Sequence, residues 1–301
     1  MKYRILGKSG LKVSVVGVGT WQFGGGWGKE FDQEEASAML ARARELGINL
    51  IDTAACYGPD HRSEELIGGF LEGENREDWI VASKFGHAPG WEPAEVEQTL
   101  EDSLAALRTD YLDLFQFHSG NDEEFDTPGL WEMLNEKVED GKIRHLGISL
   151  SLGSESAYQT EQAPKVGASA IQVNYSRLRR VAEDEILPAC REHNLGVLAR
   201  TPLASGFLSG KYDEEADFPE SDVRSKRDRE DIRRTVAEVQ SIREEEVPED
   251  VPMAQWALAW CLTNPAVTCV IPGCKTVGQV EANAAAADLE MVPDDHPQAC
   301  D

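Results

Sequence analysis

No stretch of this 301-residue chain approaches the roughly 18 consecutive apolar residues needed to cross a membrane as a helix. The opening Met1-Lys-Tyr-Arg-Ile-Leu-Gly-Lys8 lacks the long apolar segment of a secretory signal, so a cytoplasmic location is expected. Cysteine is sparse and scattered: Cys56, Cys190, Cys261, Cys269, Cys274 and Cys300 include no C-x-x-C pair. That excludes a disulfide framework and a structural zinc knuckle, and no metal site is expected. Basic residues are also few, 29 against 55 acidic, for a net charge of −26. Such a balance repels nucleic acid and anionic membranes, so neither is expected as a partner. Lysine is rarer than arginine, and the acidity runs along the whole chain. An acidic, lysine-poor surface suits a protein that stays dissolved in concentrated salt, and a halophilic source is the hypothesis this motivates. The dinucleotide fingerprint G-x-G-x-x-G is missing too, because Gly17-Val-Gly19 is followed by Gln22 where a third glycine belongs.

What is present is a repeating alternation. The opening Arg4–Val13 reads as a hairpin turning at Lys8-Ser-Gly10, and Val13–Val18 as an apolar strand ending at Gly19-Thr-Trp21. Gly24-Gly-Gly-Trp-Gly28 reads as a flexible loop. Helical patterns follow at Gln33–Leu46, Ser63–Leu71, Pro93–Leu107, Gly129–Asp140, Ser154–Gln159, Ala182–His193, Met253–Thr263 and Val277–Ala287. Short apolar strands separate them at Leu50–Ile51, Trp79–Ser83, Leu112–Phe117, His145–Ser149, Ala170–Val173, Gly196–Ala199 and Val267–Ile271. Gly47, Gly141 and Gly196 stand where helices should stop. With Val13–Val18, this makes eight strand-then-helix units. The expectation is one α/β domain over 1–301, a closed (β/α)₈ TIM barrel with an N-terminal hairpin. A doubly wound open sheet is the alternative. More than fifty residues, Arg200 to Pro252, separate the seventh strand from the next long helix, with a helix near Arg229–Arg243 inside. A connection that long reads as a lid or a clasp, or, in its charged part, as a solvated face.

The chemistry gathers around Gly47-Ile-Asn-Leu-Ile-Asp52-Thr-Ala-Ala-Cys-Tyr57-Gly58. Asp52 ends the second strand and Tyr57 follows in a turn. Lys84 ends the third strand and His118 the fourth. Each residue alone has an ordinary explanation: a cap, a half-buried ring, a solvated ammonium, a packing imidazole. Four at the carboxyl ends of successive strands line one side of a barrel mouth, where barrel active sites are built. A phenol is a poor acid at neutral pH, and a neighbouring ammonium is expected to lower its pKa. A carboxylate keeps that lysine charged, and a histidine holds a carbonyl oxygen beside the phenol. The set contains no activated serine or cysteine nucleophile. A Schiff-base aldolase through Lys84 is a rival that leaves Tyr57 unexplained.

These pieces resemble the aldo-keto reductase family over nearly the whole chain. The resemblance rests on the Gly47–Gly58 stretch, Ser83-Lys84-Phe85, Leu107-Arg-Thr-Asp-Tyr-Leu-Asp-Leu-Phe-Gln-Phe-His118, Gly141-Lys-Ile-Arg-His-Leu-Gly-Ile-Ser149 and Ile271-Pro-Gly to Asn283. It implies reduction of an aldehyde or ketone by NADP(H), NAD being possible, with Asp52, Tyr57, Lys84 and His118 as catalytic tetrad and Tyr57 as proton donor. It further implies that Gly19, Thr20 and Trp21 flank the nicotinamide and that Ser149 and Gln172 bond its carboxamide. Leu150 replaces the family's common asparagine, and Arg200 its ring-stacking aromatic. Thr201, Pro202, Leu203, Ser205, Gly206 and Lys211 match the pyrophosphate clasp. Gly206-x-x-x-Gly210-Lys211 falls one residue short of a Walker A motif and lacks its Ser/Thr, which discounts ATP. Gly273, Lys275, Gln279 and Asn283 match the adenine end, where Lys275 could pair with a 2′-phosphate although Gln279 stands where many members carry arginine. Substrate contacts are expected from Trp21, Tyr57 and His118, with Trp27 and Trp91 as further candidate walls. A family member that binds the nicotinamide without turnover, reporting redox state to a partner, is the other alternative.

Overall fold

The structure is a computed structural model, and it describes residues 1–87, 90–151 and 157–300. The chain opens with β1 (Tyr3–Ile5) and β2 (Lys12–Ser14), the antiparallel hairpin expected from the sequence. Val13–Val18 is not one strand. Val13 belongs to the hairpin, while Val16 and β3 (Val18–Gly19) start the barrel. The run serves two sheets at once: Val15 donates its N–H to Lys2 and its carbonyl accepts from Val270. An unbroken apolar pattern cannot show where a chain changes partner.

The strand-and-helix units then follow in order. α1 (Gln33–Glu45) starts at Asp32, whose side chain accepts from the Glu35 N–H while Glu35 reaches back to the Asp32 N–H. It buries Ala36, Met39, Leu40 and Ala43, the spacing of a single helical face. Gly47, at φ 80°, turns the chain into β4 (Leu50–Asp52). Next come α2 (Arg62–Leu71), β5 (Ile80–Phe85), α3 (Pro93–Leu107) and β6 (Leu112–His118). A single turn, α4 (Asp122–Phe125), precedes α5 (Leu130–Glu139), β7 (Ile143–Ser149), α6 (Ala157–Gln162) and β8 (Ala168–Asn174). Ser154–Ser156, which the sequence assigns to the start of α6, lie outside the described residues. Then come α7 (Ile186–Glu192), β9 (Gly196–Arg200), α8 (Arg229–Glu246), α9 (Met253–Leu262), β10 (Cys269–Val270), α10 (Val277–Ala285) and a final strand, β11 (Ala299–Cys300), paired with β1.

Among the described residues β3 to β10 form one parallel sheet in chain order. Bridges from Val16 to Val270 and from Gly19 to Gly273 join its two ends and close the (β/α)₈ barrel. Side-chain alternation sorts the strand residues into two layers. Leu50, Ile80, Ala82, Leu114, Ala170, Leu198 and Cys269 fill the inside, with Leu6 and Val13 of the hairpin in the same cluster. Ile51, Val81, Phe115, Phe117, Ile148, Ile171 and Val197 face the helices. Counting in twos from the inner set places Asp52, Lys84, Gln116, His118, Gln172 and Arg200 on the inner face at the carboxyl end.

Two local expectations are corrected. The helix expected from Ala182 begins only at Ile186, after a short 3₁₀ turn at Val181–Glu183. Pro188 lacks an N–H and is tolerated only in a helix's first turn, which it occupies here. Gly196 is not a helix stop. Asn194, at φ 51°, makes the left-handed turn, and Gly196 is small because a Cβ there would sit 2.5 Å from the Leu6 side chain. The long connection after β9 carries its own apolar cluster: Ile232, Val236, Val239 and Ile242 of α8 pack with Phe207, Phe218 and Trp256. The glycine-rich loop is pinned to this connection. Gly26 accepts from the Val223 N–H at 2.8 Å and Gly28 donates to Ser221 at 3.1 Å.

Candidate active site

Strand ends bring the four candidate residues together. The Lys84 ammonium donates to Asp52 Oδ1 at 2.7 Å, to the Thr53 carbonyl at 2.7 Å and to the Tyr57 hydroxyl at 3.0 Å. Lys84 is wholly buried and Asp52 is 3% exposed. Asp52 Oδ2 accepts from Gln172 Nε2 at 2.7 Å and more loosely from Gln116 Nε2 at 3.4 Å, so both carboxylate oxygens are occupied. The Tyr57 and His118 rings meet edge to face, 5.9 Å apart.

The electrostatics follow from burial and pairing. Burial pulls the Lys84 ammonium toward neutrality, but Asp52 and Tyr57 together hold its pKa above the ordinary lysine value. The lysine therefore favours its charged form. Burial raises the Tyr57 phenol above its ordinary value, with Lys84 pulling it down and Asp52 pushing it up. Lys84 does act as the sequence suggests, but burial outweighs it, so the expected net lowering is not found. The phenol holds its proton. His118 lies well below the ordinary histidine value because it is buried, with Lys84, His87 and Arg200 adding repulsion. It is therefore neutral near pH 7, with one ring N–H to donate and one lone pair to offer.

These groups open on a cavity of about 710 Å³. Its walls include Gly19, Thr20, Trp21, Asp52, Tyr57, His118, Gln172, Arg200, Thr201, Pro202, Leu203, Ser205, Gly206, Lys211, Gly273, Lys275, Gln279 and Asn283. Ser149 is the one cofactor candidate not on the wall. It is fully buried and donates to Gln172 Oε1 at 3.4 Å. Trp91 also stands apart, packed on Phe117 with ring centroids 4.4 Å apart. Trp21, 45% exposed, stands over the mouth, stacked 6.2 Å from Tyr57 and edge-on to Trp27 at 4.9 Å.

One part of the cavity wall, beside Trp27, is cationic. Arg224 holds Asp222 through Nε at 2.8 Å and Nη2 at 2.7 Å, and Lys275 Nζ stands 3.7 Å from the same carboxylate while donating to the Trp27 carbonyl. Two cations and one anion leave a net positive charge there, with Lys211 also on the wall. The cavity wall also carries two buried polar atoms without a partner, Gln22 Oε1 and Trp27 Nε1. Close backbone approach is built in, since a Cβ on Gly19 would lie 2.6 Å from the Ile271 carbonyl and one on Gly273 2.2 Å from the Gln22 amide. A ligand with phosphates and several hydrogen-bonding groups fits this donor set.

Sequence reading missed Gln116, Arg224 and Asp222. Gln116 was findable, being two residues before His118 on the same face of β6. Arg224 and Asp222 sit in the long connection, where no periodicity assigns a face.

Comparison with known proteins comes to the same place. The model of the Aldo/keto reductase family matches residues 15–300. The chain is 31% identical over 310 residues to YqkF of Bacillus subtilis, named an uncharacterized oxidoreductase, covering 99% of this chain and 95% of that one. It is 30% identical over 309 residues to a protein of Arabidopsis thaliana named a probable voltage-gated potassium channel subunit beta, covering 96% and 92%. The solved holo form of the aldo-keto reductase AKR11C1 from Bacillus halodurans superposes with a TM-score of 0.79 at 31% identity, covering 99% of this chain and 94% of that one.

Proposed function

The chain belongs to the aldo/keto reductase family and is an oxidoreductase, and on that premise we propose that it reduces aldehydes or ketones to alcohols with NADP(H). The observation that carries the reading is the buried relay Asp52–Lys84–Tyr57, ending in a phenol on the cavity wall. When bound, the nicotinamide supplies a hydride to the carbonyl carbon. The protein's own residues do the rest. His118, neutral, donates its ring N–H to the carbonyl oxygen and fixes it beside Tyr57. Tyr57 gives its proton to that oxygen as negative charge develops there. The phenolate left behind is stabilised by the Lys84 ammonium at 3.0 Å, which Asp52 holds in place.

Gly19, Thr20, Trp21, Gln172, Arg200, Gly273 and Asn283 would line the dinucleotide, with Ser149 orienting Gln172. The cationic part of the wall formed by Arg224, Lys275 and Lys211 supports a 2′-phosphate, hence NADPH over NADH. The substrate is a small carbonyl compound beneath Trp21. No helix among the described residues is long and apolar enough to cross a membrane.

A Schiff base through Lys84 is disfavoured on physical grounds, because a wholly buried amine whose charged form Asp52 and Tyr57 favour is a poor nucleophile. A second reading is a nicotinamide-binding module that reports redox state to a partner; the name of the Arabidopsis relative, a probable channel subunit, speaks only for the existence of a partner. The complete relay argues for turnover instead. The deciding experiment follows NADPH oxidation with a panel of aldehydes and ketones. Consumption with stoichiometric alcohol is the expected result, and cofactor binding without turnover of any carbonyl would transfer support to the reporter.

A further inference from the structure

Beside the relay the cavity wall carries a second cluster, made of His118 together with Cys56 and His87, two residues that the proposed mechanism does not use. Cys56, His87 and His118 come from the loops or strand ends of three successive units, and one ligating atom of each lies within 4.8 Å of the other two. The Cys56 Sγ stands 3.6 Å from His118 Nδ1, and the His87 and His118 rings are perpendicular with centroids 4.6 Å apart. A tetrahedral zinc ion, with Zn–S near 2.3 Å and Zn–N near 2.0–2.1 Å, holds sulfur and nitrogen ligands roughly 3.6 Å apart. The sulfur–nitrogen spacing is already that of a shared metal.

We propose that Cys56, His87 and His118 form a binding site for a zinc-class divalent ion on the wall of the active-site cavity. The donor set chooses the ion. One thiolate and two imidazoles suit a borderline metal, whereas calcium and magnesium require oxygen. Three protein ligands leave a fourth position for water. As the S–Zn bond forms, the Cys56 thiol gives its proton to solvent, and each imidazole supplies a ring lone pair without changing the metal's oxidation state. Of the cations that repel charge at His118, Lys84 is paired with Asp52 at 2.7 Å, while Arg200 is bonded to the Leu150 carbonyl at 2.7 Å and its repulsion is offset by the thiolate that the metal creates. The site needs no reductase activity to exist. Only its consequence, that a loaded site sets a metal ion on the same ring whose N–H would hold the carbonyl, rests on the proposed function.

The test is titration of the full, reduced, metal-free chain with Co²⁺, a spectroscopic stand-in, followed by displacement with Zn²⁺. One equivalent should give a thiolate-to-cobalt charge-transfer band and the intense visible bands of four-coordinate cobalt, both abolished by zinc. Cys56→Ser should remove the charge-transfer band, and Cys56→Ala should do the same. His87 has φ 70°, which asparagine tolerates, so His87→Asn is the second variant. It should weaken cobalt binding at least tenfold with an unchanged thermal melt. The proposal is overturned if the native chain shows no charge-transfer band, if the band persists in both Cys56 variants, or if His87→Asn binds as tightly as the native chain. None of these readouts involves turnover, so their failure leaves the reductase reading untouched.

Discussion

The Nζ of Lys84 lies 3.0 Å from the Tyr57 hydroxyl in a position with no exposure to water. A cation fixed there before reaction need not reorganise when the phenol loses its proton, and low surrounding polarity makes the attraction stronger than it would be in solvent. On the proposed mechanism the relation would let Tyr57 keep its proton at rest and yet release it. Burial raises the phenol's pKa, while Lys84 selectively favours the phenolate.

Tyr57→Phe removes the hydroxyl and keeps the ring against Trp21 and His118. We predict at least a ~10²-fold fall in kcat, the usual effect of losing a general acid. Cofactor affinity should change little. Steady-state kinetics with a fluorescence titration of NADPH measures both, and near-native turnover would refute the assignment of Tyr57.

Lys84→Met tests the other half of the relay. Loss of the cation raises the phenol's pKa further, and carbonyl reduction should be lost across the accessible pH range. Asp52 is left buried with only the Gln172 and Gln116 amides as charge-stabilising partners. Stranding one member of a buried ion pair costs about 3–5 kcal/mol, so the urea midpoint should fall as well. A variant with native stability and a native pH–rate profile contradicts the role given to Lys84.

The barrel was legible in the sequence because eight apolar strands and their amphipathic helices repeat with the right periods, and the candidate site because Asp52, Lys84 and His118 each stand at or next to the carboxyl end of a strand. What escaped has a common physical cause: contacts made far along the chain leave no periodic trace. Trp27 meets Asp222 across nearly two hundred positions. β11 is two residues long and exists only because β1 offers an edge. The Tyr57 pKa went the other way because pairwise distances are inferable from motifs but burial is not. Ser149 has the inner-face position the pattern requires, yet its hydroxyl is bonded to Gln172 and is not on the cavity wall.

A pH effect on stability should be separable from catalysis. His296 is buried, with the Gln298 N–H donating to Nδ1 at 3.1 Å and Nε2 facing the Asn264 carbonyl at 3.3 Å. Burial, with Arg4 adding repulsion, lowers its pKa from 6.5 to about 4. Between those values the unfolded chain binds the extra proton and the folded chain does not. Stability is therefore fully present above pH 6.5 and is lost as pH falls toward 4, by up to about 1.4 kcal/mol per pH unit from this one group. His296→Gln should flatten that slope relative to the native chain in urea melts across the same range. Identical slopes would show that His296 contributes no such linkage.

The excess of 55 acidic over 29 basic residues carries a further expectation about salt. Self-repulsion among exposed carboxylates destabilises the compact state and is screened within a few ångströms at molar ionic strength. We hypothesise that the melting temperature rises from low to molar salt. A flat response in scanning calorimetry would remove the support for a halophilic origin.

Cofactor choice turns on the cationic part of the cavity wall. NADPH brings a 2′-phosphate into a chain of net charge −26, so long-range forces oppose it and local cations must offset them. Lys275 is engaged with the Trp27 carbonyl and stands 3.7 Å from Asp222, which at first suggests a spent charge. Arg224, however, already matches Asp222 through two nitrogens, so the three groups together remain positive. The start of α10 lies next to Lys275, and helix starts favour anions. Lys275→Ala should therefore weaken NADPH by roughly 1–3 kcal/mol, the cost of a lost charge-assisted hydrogen bond, and leave NADH nearly unchanged. Salt screens the distant carboxylates more than a contact pair, so NADPH affinity should hold or improve as salt rises. Titrating both cofactors into both proteins at low and molar salt reads all of this out. Equal losses of NADH and NADPH in the variant would make Lys275 a strut for the Trp27 loop and remove its support for the phosphorylated cofactor.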